Sequence, residues 1–70
     1  MEYLVIIEGE PGNYSAYVPD LPGCITVGES QTEIETNIHE AIEAYLSESE
    51  RRGLPKPKPS TFAVRVSIAA

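Results

Sequence analysis

Tyr17-Val18-Pro19-Asp20-Leu21-Pro22-Gly23-Cys24 joins two stretches, 14–18 and 24–28, that both read as short strands. Each proline fixes its own φ near −65° and pushes the preceding residue out of the α region, so Val18 and Leu21 are held extended. Gly23 supplies the positive φ that a sharp reversal needs. The result is a stiff, pre-shaped connector. It offers one carboxylate and no base, so it reads as a shape held for packing or for a partner. Tyr17, Pro19, Asp20, Leu21, Pro22 and Gly23 are therefore the candidate loop-shaping or partner-binding residues.

Working outward, Tyr3-Leu4-Val5-Ile6-Ile7-Glu8 is rich in β-branched residues and apolar on both faces, the pattern of a strand covered on two sides. The cluster Gly9-Glu10-Pro11-Gly12-Asn13 then reads as a hairpin turn. Strands over 3–8, 14–18 and 24–28 make an antiparallel meander. Ser30-Gln31-Thr32-Glu33 matches a capping box and opens a helix over 31–52. Ile34, Ile38, Ala41, Ile42, Tyr45 and Leu46 form its apolar stripe, at spacings of three and four. Glu33, Glu35, Glu40, Glu43, Glu48 and Glu50 lie off this stripe. Arg51 and Arg52 suit the C-terminal end of the helix dipole, and Gly53 with Pro55 closes it.

Leu54-Pro55-Lys56-Pro57-Lys58-Pro59-Ser60 alternates proline and lysine, and should run extended at ~3.1 Å per residue. Phe62, Val64, Val66 and Ile68 then alternate on one face of a fourth strand, 62–68. The fold class is α+β in the order β-β-β-α-β, with the last strand expected beside the first, making 3–8 central. One helix covers one face of such a sheet. Either Tyr3, Val5 and Ile7, or else Leu4 and Ile6, are left for something else to cover, and a second copy is the simplest cover.

Seventy residues suffice for one small domain, in which apolar burial and ordering entropy nearly cancel. A single cysteine closes no intrachain disulfide, and one cysteine with one histidine makes no closed zinc site. A homo-oligomer, dimer or tetramer, is the remaining route to stability. Eleven acids against five bases give a net charge of −6, which disfavours direct contact with nucleic acid and suits a basic partner. No run of ~20 apolar residues spans a membrane. The N-terminus shows no signal-peptide core, so the reading is cytoplasmic with Cys24 reduced.

Several residues have competing readings. Asp20 either accepts backbone amides in its own turn or pairs with a basic partner. Cys24 reads as a small buried hydrophobe. His39, with Glu35 and Glu43 four residues away on either side, reads as a surface ion pair. Tyr14 and Tyr17 alternate faces, one toward the core and one toward a partner. A metal-dependent nuclease needs several converging carboxylates, and the chain has one aspartate. No catalytic, metal or cofactor site is expected, and the chain reads as no enzyme.

Gly12-x-Tyr14-x-Ala16-x-Val18-Pro19-Asp20-Leu21-Pro22-Gly23-Cys24, followed by Thr26-x-Gly28, the acidic helix and Gly53-Leu54-Pro55-x-Pro57, resembles the HicB-like antitoxins over nearly all of residues 1 to 68. The resemblance implies a truncated ribonuclease H-like fold in a single HicB-like domain, 1–70. It also implies a non-catalytic protein that oligomerises and neutralises HicA-like toxins. Those toxins are small basic proteins that cleave messenger RNA using a histidine, and the antitoxin covers that surface. Many members carry a C-terminal DNA-binding domain. None is expected here, since the sequence stops just after the fourth strand. Two other readings stand beside the antitoxin one: a solitary structural or regulatory oligomer without a cognate toxin, and a metal-dependent nuclease.

Overall fold

Backbone pairing places the first strand, β1 (Ile6–Glu10), against β2 (Asn13–Tyr17), and β2 against β3 (Ile25–Gly28), in one antiparallel sheet of order β1-β2-β3. A 21-residue helix, α1 (Gln31–Arg51), packs on one face. This computed structural model describes residues 1–69; Ala70, the last residue of the expected 1–70 domain, lies outside the described residues.

The register explains where β1 starts. Ile6 pairs with Tyr17. The next residue along, Val18, turns its amide to the Cys24 carbonyl at 3.1 Å, and Pro19 has no amide to give. Tyr3, Leu4 and Val5 therefore have no ladder partner on β2. At the other end the hairpin closes tightly at Pro11-Gly12, so β1 reaches Glu10 where the sequence suggested Glu8. The expected strand at 14–18 is shifted by one residue, and that at 24–28 starts one later.

The helix begins as its sequence dictates. The Ser30 hydroxyl accepts from the Glu33 amide at 3.1 Å. The Glu33 carboxylate reaches back to the amide of Glu29, also at 3.1 Å, one residue beyond the usual reciprocal partner, the Ser30 amide. At the far end Leu54 donates to the Ser49 carbonyl and Gly53 to that of Glu50, a Schellman ending with Gly53 at φ 71°.

The core is small: Ala16, Val18, Leu21, Cys24, Ile34 and Ile38, with Tyr3, Val5, Tyr14, Ala41, Ile42, Tyr45 and Leu46 packed around it. Gly28 lets the helix approach. A Cβ built there would stand 3.0 Å from both the Cα and the N of Ile34. Asn37 ties the helix to β3 by donating from Nδ2 to the Val27 carbonyl at 2.9 Å.

The expected fourth strand is where sequence and structure differ. Residues 54–69 carry no regular secondary structure, and 62–68 makes no ladder with β1. β2 is thus the central strand and β1 an edge. The Pro-Lys run does return the chain to the sheet: the Tyr3 hydroxyl donates to the Pro57 carbonyl. Beyond it, Phe62, Val64, Val66 and Ile68 all stand exposed. A strand needs an edge for its amides and a surface to cover its apolar face, and within this chain 62–68 pairs with no edge and keeps its apolar row exposed.

Candidate partner interface

The loop after β2 is built from two successive turns. The Val18 carbonyl accepts from the Leu21 amide, and the Leu21 carbonyl from the Cys24 amide, both at 3.0 Å. Each turn has proline in its second position, where the fixed φ is already right. In the second turn Gly23 takes φ 84° in third position, the type II pattern that excludes a side chain on steric grounds. Leu21, at the junction, is completely buried under α1 and is the loop's anchor. Pro22 and Gly23 are exposed, and Pro19 and Asp20 half-buried.

Asp20 does something neither sequence reading described. Its carboxylate reaches forty residues along the chain to Ser60 and Thr61. It accepts from the Ser60 amide (2.9 Å), the Ser60 hydroxyl (3.0 Å), the Thr61 amide (3.1 Å) and the Thr61 hydroxyl (2.6 Å). The Thr61 hydroxyl and the Ser60 amide are the leading causes that pull the Asp20 pKa from 3.8 to about 2. A signal for this was present: two hydroxyl residues follow directly on a stiff proline run, offering four donors in a row to one acceptor-only group.

The sheet face opposite the helix is bare. Ala16 is buried toward α1 and shares its row with Ile7 and Thr26, so the next row, Ile6, Tyr17 and Ile25, points the other way. Val27, beside Ser15, belongs to the same side. Tyr17 is 41% exposed, and Ile25 and Val27 are each 69% exposed. Of the two apolar sets on the first strand, Tyr3 and Val5 pack on the core, leaving Leu4 and Ile6 to the other side. Tyr14 packs toward the core and Tyr17 outward. These apolar side chains form an exposed surface next to the Pro19–Gly23 loop, in a chain of net charge −6.

The remaining singled-out residues lie apart. His39 Nδ1 is 3.3 Å from a Glu43 carboxylate oxygen on the exposed side of α1. Arg51 forms a two-pronged pair with Glu48, at 2.9 and 2.5 Å. Cys24 is buried and unpaired, and burial pushes its thiol pKa up. Among the described residues no three His, Cys, Asp or Glu side chains converge as a metal site would require, and no helix is long and apolar enough to cross a membrane.

The family model described as the HicB-like antitoxin of bacterial toxin-antitoxin systems matches residues 3–68. A UPF0150 protein of Thermoplasma acidophilum is 39% identical over 67 residues, 94% of this chain and 97% of that protein. A UPF0150 protein of Synechocystis is 37% identical over 67 residues, 94% of this chain and 85% of its own. One from Archaeoglobus fulgidus is 45% identical over 47 residues, 66% of this chain and 68% of its own. No solved structure matches significantly.

Proposed function

The chain belongs to the HicB-like antitoxin family, and on that premise we propose that it is a non-catalytic antitoxin that binds and occludes a basic, HicA-like, mRNA-cleaving toxin. The observation that carries this reading is the bare apolar sheet face of Tyr17, Ile25 and Val27 on a strongly acidic chain. An apolar patch in an acidic surround suits a basic protein partner, with charge steering the encounter and buried side chains holding it. In this reading Tyr17 meets the partner. Pro19, Asp20, Pro22 and Gly23 hold the loop's shape, and Leu21 roots it. The protein works in the cytoplasm as a homo-oligomer of truncated ribonuclease H-like units, each a single domain. It uses no cofactor and makes no direct contact with nucleic acid.

The test is a messenger-RNA cleavage assay with the HicA-like protein encoded beside it. Stoichiometric inhibition on mixing, weakened by Tyr17→Ala or Ile25→Asp, is the expected result. No complex with that toxin, or the lack of any such neighbour, would instead favour a solitary structural or regulatory oligomer. Cleavage by the pure chain with magnesium or manganese would make it a nuclease.

A further inference from the structure

The chain holds an unused strand and an unused edge. Residues 62–68 carry Phe62, Val64, Val66 and Ile68 on alternate positions, between 72 and 82% exposed. β1 is an edge strand with one side of its backbone unpaired. Between the first strand and α1 lies an open groove of about 860 Å³, floored by Val5, Ile7, Ile38, Ile42 and Leu46, with this chain's own Thr61, Phe62 and Ala63 at its mouth. An apolar strand without a sheet and a sheet edge beside an apolar groove are complementary surfaces.

We propose that two copies of this chain exchange these arms, each laying 62–68 of one along the β1 edge and groove of the other. This rests on the oligomer of the preceding reading and names the segment that makes it.

Three features favour a second copy over the chain's own arm. Asp20 clamps Ser60 and Thr61, and Tyr3 holds Pro57, so the arm's root is fixed at the mouth of the groove. Past Ala63 no residue of the arm lines the groove, and the molecule measures 49 Å in its long direction against 27 and 17 Å across. Pro55, Pro57 and Pro59 keep the approach extended, which opposes a compact fold-back. Charge agrees as well: Arg65 is the arm's one charged residue, and β1 carries Glu8 and Glu10. Exchange about a two-fold axis satisfies both arms and both edges at once, which a heterologous partner would do for only one. The family match runs to residue 68, so the arm belongs to the unit that the family shares. A fourth strand beside the first, expected from the sequence, would then form between chains.

Sedimentation and mixed-label NMR on the full chain test this. A sample made from equal parts carbon-13-labelled and unlabelled chains should sediment as a dimer. It should show intermolecular NOEs from the Val64 and Val66 methyls of one copy to Ile7 and Ile42 of the other. Val66→Asp, an exposed site within one subunit, should retain the helical circular dichroism while weakening the dimer by about hundredfold or more, since it would bury an unpaired charge. A dimer without arm-to-groove NOEs between copies would overturn the exchange while leaving the oligomer standing. Arm-to-groove NOEs within one chain would show a fold-back and overturn it. A monomer at every concentration would overturn both the exchange and the oligomer, and neither result bears on toxin inhibition.

Discussion

The Thr61 hydroxyl donates a 2.6 Å hydrogen bond to Asp20 Oδ1, joining two residues 41 positions apart. With the Ser60 and Thr61 amides and the Ser60 hydroxyl on the same carboxylate, this is the chain's long-range closure: it fastens the segment after the helix to the loop after β2. The loop is rigid for local reasons, its two proline turns and buried Leu21. The tail has no such local reasons and takes its position from Asp20 and from the Tyr3 hydroxyl on the Pro57 carbonyl.

That closure should release only in strong acid. Asp20 has a folded-state pKa of about 2, below its ordinary 3.8. Its contribution is therefore fully present above about 3.8 and is lost as the pH falls through about 2. Carboxyl carbon-13 shifts of Asp20, followed together with the Ser60 and Thr61 amide shifts, should titrate as one with a midpoint near 2. A midpoint at 3.8, or amides that do not follow it, would show that the clasp is open in solution.

Gly28→Ala should destabilise the fold by about 1–3 kcal/mol, the usual cost of forcing a methyl into a packed contact. The added Cβ would stand 3.0 Å from Ile34 Cα and N. Both are backbone atoms of the helix's first turn, so relief requires moving the helix itself. Urea denaturation followed by circular dichroism checks it. An unchanged midpoint would mean that α1 shifts freely on the sheet.

The parts of the fold that were legible in the sequence are those whose causes are local. Ser30 and Glu33 start the helix, Gly53 ends it, and the stripe from Ile34 to Leu46 turns inward, all within a few residues of one another. The Pro19–Gly23 loop belongs to the same class, because proline and glycine impose their geometry without help. The fourth strand does not. The alternation of Phe62, Val64, Val66 and Ile68 has the period of a strand, but pairing also requires an edge to reach, and spacing along the chain carries no information about which edge that is. Asp20 was legible as a group needing donors, yet its donors at Ser60 and Thr61 come from a segment whose path is set by tertiary contacts.

The apolar stripe of α1 is uneven in depth, and its substitutions should rank accordingly. Ile34 is fully buried and Ile38 nearly so, whereas Ile42 is half-buried toward the groove. Ile34→Ala and Ile38→Ala should each cost about 2–5 kcal/mol, a large share of the stability of a domain this size. Ile42→Ala should cost less in the isolated subunit. Chemical denaturation of the three variants gives the order directly. Equal losses at all three positions would mean that the groove beside Ile42 is filled.

Cys24 provides a probe of opening that needs no substitution. Its thiol is buried between the Pro19–Gly23 loop and α1, and desolvation raises its pKa, so little of the reactive thiolate is present or reachable. A thiol reagent should therefore label the native chain slowly, at a rate set by how often the core opens, and should label the urea-unfolded chain at once. Variants that loosen the loop's anchor, such as Leu21→Ala, should raise the native labelling rate well before any loss of helix is seen by circular dichroism. Immediate labelling of the unmodified protein under native conditions would place Cys24 at the surface, and the packing of the loop on the helix would have to be redrawn.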